Sequence, residues 1–346
     1  MSALAFELPP GLEADEPAEA RGLRRDGVRL LVTDRAQQTV RHARFADLPQ
    51  VLAPGDLLVL NTSATLAAAL PATREDGLEL ELHLSTPAPR SDSDGLWVVE
   101  LRDGGAPFGG VETGDRFELP AGASAQILEP YAGVRLWLAR LDLPRPLEAY
   151  LGEHGQPIRY GYVPRRWPLA AYQNVYALVP GSSEMPSAGR PFTAELITRL
   201  VADGVLVAPV TLHTGVSSQE RHEPPYAEPY RVPAETARLV NAVRGWGGRV
   251  IAVGTTVVRG LETVADPDGT VAAGEGWTDL VVTPERGLWA IDGLLSGFHE
   301  SQSSHVDLLR AVVGEELLRR SYAAAIANGY RWHEFGDSHL LLGARA

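Results

Sequence analysis

The chain has 346 residues, more than a single core usually holds, so two domains are expected. Its 45% hydrophobic and 22% charged residues exclude a disordered chain, and with no Cys and no Lys it has no disulfide, thiolate metal site, Schiff-base lysine or Walker-type lysine. The net charge of −13 argues against a protein that coats nucleic acid, yet leaves room for one local basic groove.

The first twenty residues hold five acids and no Arg, unlike a secretory leader, so a cytosolic protein is expected. No stretch approaches the ~18 apolar residues of a membrane helix. The turn Pro54-Gly55-Asp56 announces an apolar strand, Leu57-Leu58-Val59-Leu60. From Thr65 to Pro146 the pattern changes to short runs of period two, such as Leu78-Glu79-Leu80-Glu81-Leu82, and Trp97-Val98-Val99 follows a polar turn at 91–95. Gly and Pro recur roughly every ten residues, the spacing of a small antiparallel barrel or sandwich.

Beyond Tyr150 the period lengthens. Thr193 suits the cap of a helix carrying Leu196, Ile197, Leu200 and Val201, closed by Gly204. Strand Val205–Ala208 follows, then a helix from Pro233 with Ala237, Val240 and Val243 on one face. Strand Arg249–Val253, a helix from about Thr256, strand Leu288–Ile291 and two more helices complete the chain. This alternation predicts a mainly parallel sheet with sites at the strand C-termini. The expected layout is an α/β domain of residues 1–64 and 147–346 interrupted by a β domain of residues 65–146.

Several short stretches carry residues suited to chemistry. Ala252-Val253-Gly254-Thr255-Thr256 is a strand, a glycine turn and a helix start, whose amides and hydroxyls fit a carboxylate or phosphate. A plain turn with Thr256 capping its own helix is the alternative. His213 and His299 each follow a strand, where a general base belongs, although a histidine bonded to nearby backbone fits the same position. Ser187, Ala188 and Gly189 form a small-residue loop that lets backbone approach a ligand. Asp292, beside a strand end, suits a ribose hydroxyl or a solvated turn. Arg159, Tyr160, Arg165 and Arg166, with Tyr162 and Trp167, have the composition of a stacking platform with phosphate contacts, or of an Arg-rich surface loop. No metal is expected, since the nine His show no H-x-x-x-H spacing. No G-x-S-x-G elbow occurs either.

Taken in order, the motifs resemble the S-adenosylmethionine:tRNA ribosyltransferase-isomerase family of queuosine biosynthesis. They include Leu57-Leu58-Val59-Leu60-Asn61, Tyr172-Gln173-Asn174-Val175-Tyr176, Pro186-Ser187-Ala188-Gly189 and Val210-Thr211-Leu212-His213. Ala252-Val253-Gly254-Thr255-Thr256 with Leu261-Glu262 is the most specific, and Phe298-His299 and Tyr330-Arg331 with Gly336-Asp337 close the series. The resemblance implies an α/β class fold: a barrel-like α/β major domain with an inserted small antiparallel β-barrel domain. It also implies S-adenosylmethionine as ribosyl donor, without a metal, to an aminomethyl-deazaguanine in the tRNA anticodon. Adenine and methionine leave. The sulfonium acidifies the neighbouring ribose carbon, so a base can start an elimination that expels adenine. In that chemistry Gly254, Thr255 and Thr256 suit the methionine carboxylate, Asp292 or Glu262 the ribose, and His213 or His299 the base. Glu228 is the acid retained from a family stretch otherwise changed, and the enzyme is expected to act as a monomer.

The chain departs from the family pattern at Thr62-Ser63-Ala64, Arg190-Pro191, the residues after His213, Glu223–Ala227 and Glu300–Ser304. These changes remove two Arg, a Lys and at least two His that the pattern carries. Two alternatives therefore stand beside the tRNA enzyme: a paralogue passing S-adenosylmethionine chemistry to a small-molecule acceptor, and a binding protein without turnover.

Overall fold

The apolar run ending at Leu60 lies at the centre of the molecule. The computed structural model describes residues 6–89, 95–133, 135–216, 226–301 and 303–343; the polar turn at 91–94 and residues 217–225, which hold most of the changed stretch after His213, lie outside them. In chain order come β1 (Arg29–Asp34), β2 (Thr39–Arg44), β3 (Leu57–Asn61) and β4 (Ser63–Thr65). There follow β5 (Ala69–Arg74), β6 (Glu79–Pro87), β7 (Leu96–Asp103), β8 (Ala106–Pro107), β9 (Arg116–Leu119), β10 (Ala123–Ala132) and β11 (Leu136–Asp142). After α1 (Leu147–His154) come β12 (Val179–Ser182), α2 (Ala194–Ala202), β13 (Leu206–Leu212), β14 (Glu228–Val232) and α3 (Ala234–Gly245). The chain ends with β15 (Val250–Val253), α4 (Thr255–Thr263), β16 (Gly274–Thr278), β17 (Gly293–Ser296), α5 (Ser304–Val313), α6 (Glu315–Ala327) and β18 (Ser338–Leu342).

One sheet runs β16-β14-β13-β3-β15-β17-β18-β1-β2. Its centre, β13-β3-β15-β17, is parallel, and β18 runs parallel to β1. The remaining neighbours pair antiparallel, so the sheet is mixed rather than mainly parallel. β2 returns from β1 and β14 turns back from β13, while β16 joins β14 after α4 and β18 comes back beside β17 after α5 and α6. All five residues of β3 are buried. Leu57 and Val59 face the core under α3 and α4, while Leu58 and Leu60 face the core with Phe192 and α2. Burial on both faces explains an uninterrupted apolar run.

The second sheet closes on itself. Strands β11-β10-β9-β5-β6-β7 pair in that order, and β7 also pairs with β11, giving a six-stranded antiparallel barrel. Leu80, Leu82 and Leu84 point into its core, while Glu79 is exposed and Glu81 half-buried, the period-two pattern read from the sequence. Tyr150 and Leu151 of α1 and Ile158 join that core from beyond residue 146. The class expected from the sequence, α/β with an inserted antiparallel barrel, is the architecture observed.

One expected strand is absent. Residues Leu288–Ile291 form no ladder because the Trp289 and Ala290 amides donate to the buried Glu262 carboxylate, at 3.0 and 2.9 Å. The strand begins instead at Gly293, where a Cβ would stand 3.1 Å from the Leu341 carbonyl of β18. Thr193 caps α2 as expected, its hydroxyl accepting the Leu196 amide at 3.1 Å.

At the opposite end of β3, the buried Asp56 accepts the Ala53 amide at 2.8 Å and the Arg249 amide at 3.2 Å, and pairs with the Arg249 guanidinium. Replacing Asp56 by Ala strands that cation and two amides. The expected loss is about 3–5 kcal/mol of unfolding free energy, read from the urea midpoint, and Asp56→Asn should lose less. We propose residues 65–146 as the inserted domain; limited proteolysis should cut first near Gly104-Gly105, and early cleavage within β15 would count against that layout.

Candidate active site

Because β13, β3, β15 and β17 are parallel, their C-terminal ends share one edge of the sheet. Asn61, buried at the end of β3, ties that edge together. Its amide nitrogen donates to the Leu212 carbonyl at 2.8 Å and to Thr256 Oγ1 at 3.2 Å, and its oxygen accepts the Leu212 and Ser63 amides at 3.0 and 3.1 Å. The end of β13 and the first turn of α4 are thereby fixed to each other.

Gly254 is the N-cap of α4, with φ at 95°, a conformation that L side chains rarely adopt. It carries no capping side chain. Thr256 does not cap its helix either; its hydroxyl meets Asn61. Among the described residues the Thr255 and Thr256 amides find no carbonyl partner, so the helix start presents N–H groups there. A Cβ at Gly254 would lie 3.5 Å from the Ala188 methyl, so the turn Ser187–Gly189 sits directly beside this glycine. Gly189 itself packs on the Tyr176 hydroxyl and Asn174 with no room for a side chain.

His213 follows β13 on the same edge. Its Nδ1 meets Ser63 Oγ at 2.7 Å, and Ser63 meets Ser182 Oγ at 2.6 Å, which in turn accepts the Thr214 amide. Gly181, with φ at 152°, makes room for the ring: a Cβ there would lie 2.5 Å from His213 Nδ1. Burial lowers the His213 pKa, which keeps the imidazole neutral at pH 7. Among the described residues Nε2 has no hydrogen-bond partner.

Glu228 is spent on the same loop. One oxygen accepts the Gly215 amide at 2.8 Å and the other pairs with Arg259. Arg259 also donates to the carbonyls of Leu280, Tyr226 and Thr278. With both oxygens engaged, Glu228 holds the His213 loop to α4 and is a positioning residue rather than a free base.

His299 stands past β17. Its Nε2 meets Ser296 Oγ at 2.7 Å, and its ring meets His305 edge-on at 4.6 Å between centroids. Burial and neighbouring imidazoles hold its pKa well below the usual histidine value, and His305 is pushed down to about 4. Two other expected residues do not join the group. Asp292 precedes β17, and its carboxylate accepts the Val250 amide at the far end of the strands. Glu262 is fully buried on the third turn of α4, paired with Arg286 and the Trp289 and Ala290 amides. Both carboxylates close backbone ladders, which is why neither faces the edge bearing Gly254.

Two concavities flank this edge. A shallow cleft is lined by Ser187, Ala188, Arg190, Gly297, Glu334 and Gly336, among others. A shallow groove is lined by Arg159, Arg166 and Trp167 with Glu81, Gln156 and Tyr172. Arg165 and Arg166 are exposed, and the Arg165 guanidinium lies 5.0 Å over the Trp167 ring. Tyr160 stacks on Tyr162 at 5.9 Å, and Tyr162 turns inward to His333 at 4.2 Å. The aromatic run is thus split between the surface groove and the cleft. Among the described residues no group of three or more His, Asp or Glu could hold a metal ion, and no helix is long and apolar enough to cross a membrane.

The family model described as queuosine biosynthesis protein matches residues 1–341. The chain belongs to that family. Similar proteins include S-adenosylmethionine:tRNA ribosyltransferase-isomerases of Symbiobacterium thermophilum, 38% identical over 99% of both chains, and of Thermus thermophilus, 37% identical over 99% of both. The crystal structure of S-adenosylmethionine tRNA ribosyltransferase from Thermotoga maritima is 30% identical, with a TM-score of 0.54, covering 98% of this chain and 99% of that one.

Arg190-Pro191 is one place where the chain departs from the family pattern expected from the sequence. Arg190 is here a buried cation, bonded to Glu19 at 2.8 Å and to the Ala171 carbonyl at 2.8 Å. Sequence reading missed the part played by Asn61, Ser63 and Ser182. Asn61 carried a signal, an amide closing an otherwise apolar strand, whereas the two serines carried none. Gly181→Ala should displace the His213 ring and lower turnover at least ~100-fold while leaving the melting temperature nearly unchanged. Because burial lowers the His213 pKa, the acid limb of the wild-type pH–rate profile should fall below the ordinary histidine value of ~6.5.

Proposed function

We propose that this chain is an S-adenosylmethionine:tRNA ribosyltransferase-isomerase of queuosine biosynthesis. It transfers and isomerises the ribosyl group of S-adenosylmethionine onto a 7-aminomethyl-7-deazaguanine in tRNA, giving epoxyqueuosine-tRNA, adenine and methionine. The observation that carries this reading is the neutral His213, held by Ser63 and Gly181, on the same strand edge as the amides of Thr255 and Thr256. Those amides and the helix dipole take the methionine carboxylate. Gly254 and the neighbouring Ser187, Ala188 and Gly189 let the donor lie against backbone. His213 removes the proton beside the sulfonium, and the Glu228–Arg259 pair fixes the loop that carries it.

The acceptor side falls to the groove bearing Arg159, Tyr160, Arg165, Arg166 and Trp167, where an unpaired anticodon base stacks and phosphates meet the exposed guanidiniums. We place the enzyme in the cytoplasm, working as a monomer on S-adenosylmethionine and tRNA.

Adenine release from S-adenosylmethionine should require tRNA carrying the aminomethyl-deazaguanine. Release without tRNA, or only with a small amine, would point to a changed acceptor instead. Binding of that tRNA should weaken steeply with salt, and the Arg165→Ala, Arg166→Ala double variant should reduce the log–log slope by up to about 2.

A further inference from the structure

The stretch Tyr330-Arg331 to Gly336-Asp337 has no part in the reaction as assigned above, yet it is built as tightly as the His213 site. Asp337 accepts the Arg29 amide at 2.7 Å, the Arg29 guanidinium at 2.8 Å and the Arg331 amide at 2.8 Å. A Cβ at Gly336 would stand 2.5 Å from the Arg331 carbonyl. His333 has φ at 68°, in the left-handed region, and its ring stacks on Tyr162 at 14° between planes. A non-glycine residue in that region is strained, and such strain collects at functional sites. What the strained turn presents is Glu334. Its Oε2 accepts the Tyr162 hydroxyl at 2.6 Å, and no other described side chain reaches the carboxyl. Glu334 is among the residues lining the cleft with Ser187, Ala188 and Gly297.

We propose that Glu334 donates the proton that lets adenine leave the ribosyl donor; this rests on the function proposed above. With the methionine carboxylate on the Thr255 and Thr256 amides, Ala188 touches Gly254, and the cleft beyond Ala188 is the next space along the bound donor. A protonated carboxyl is complementary to a purine: its O–H donates to a ring nitrogen and its carbonyl accepts from the exocyclic amine. As the C1′–N9 bond breaks, its electron pair passes to the adenine ring, and the Glu334 proton forms a new N–H bond there. Glu334 is left as a carboxylate and regains a proton from solvent once adenine departs. When His213 takes the proton from C5′, the carbon beside the sulfonium, that C–H pair forms a C4′=C5′ bond, the C4′–O4′ bond breaks, and its pair becomes the C1′=O4′ bond that replaces the broken C1′–N9 bond. Burial raises the Glu334 pKa against the opposing pull of Tyr162, which favours the protonated donor. The charged and titratable groups around it are Tyr162, His333, Tyr172, Asp337 held by Arg29, and Arg190 held by Glu19.

The test follows adenine release in single turnovers of the full chain with S-adenosylmethionine and modified tRNA, across pH. The wild-type rate should fall on the alkaline side as Glu334 loses its proton. Glu334→Gln should slow release by about 100-fold or more, erase that limb and leave S-adenosylmethionine affinity within about threefold by calorimetry. Tyr162→Phe removes a bond that stabilises the carboxylate, so its limb should move to higher pH. A donor carrying hypoxanthine, which leaves more readily as an anion, should narrow the gap between wild type and Glu334→Gln. Release by Glu334→Gln within about threefold of wild type would overturn the proposal, as would a weakened affinity with bound turnover intact. If Glu334→Gln does not fold, an unmoved limb in Tyr162→Phe overturns it. A wild type that binds the donor yet releases no adenine refutes the functional reading itself, and this proposal with it.

Discussion

Buried parallel strands leave their last amides and carbonyls with no neighbour to pair with, and this molecule answers with side chains. Asn61 closes the C-terminal edge at β13, satisfying both polar groups of Leu212 and joining them to Thr256. Asp56 and Asp292 do the equivalent work at the opposite edge, taking the amides of Arg249 and Val250. An unpaired buried amide costs ~1–3 kcal/mol, so these three residues are conditions of the sheet. The catalytic edge inherits its rigidity from them. Thr256 is aimed by Asn61, and Ser63, which orients His213, donates its own amide to that same Asn61.

The two histidines expected as bases are buried in different ways, and the difference separates their uses. His213 is held at one nitrogen by a serine pair and lowered in pKa by burial alone. A neutral ring with its second nitrogen unbonded is the state a general base needs. His299 sits among aromatic and imidazole rings, bonded to Ser296 and packed on His305. Three further imidazoles, of His305, His333 and His339, bear on it. Accepting a proton there would place a charge in an apolar, imidazole-rich pocket. Of the two, His213 carries the neutral ring with one nitrogen unbonded among the described residues, whereas His299 is tied into the packing of the β17 end.

Much of this was legible in the chain itself. The apolar run at 57–60 and the alternation at 78–82 gave the buried strand and the barrel, because burial on two faces or one leaves that pattern directly. The glycine turn at 254 and the small-residue loop at 187–189 were found separately by composition, and they meet in space. The failures share a cause. Leu288–Ile291 has the apolar content of a strand, but its amides are taken by Glu262, a residue 26 or more positions earlier. Asp292 reads as a strand-end ligand because sequence does not say which end of the next strand it occupies. Glu228 reads as a free acid because Arg259 is distant in sequence. Long-range carboxylate pairs leave no local period, so they pass unseen.

Charge raises the same question on a larger scale. A body of net charge −13 must still accept a donor whose sulfonium, ammonium and carboxylate sum to one positive charge, and a polyanionic acceptor. Many of its guanidiniums are committed inside: Arg190 to Glu19, Arg249 to Asp56, Arg259 to Glu228 and Arg286 to Glu262. Those pairs are neutral as units and contribute little field at the surface. Amides at a helix start carry partial positive charge without needing a counter-ion, so the start of α4 can meet an anion that these committed guanidiniums cannot. Arg165 and Arg166, which form no ion pair among the described residues, stand exposed beside Trp167. A protein arranged this way attracts an anion only where the anion also finds a ring to stack on or a helix start to cap.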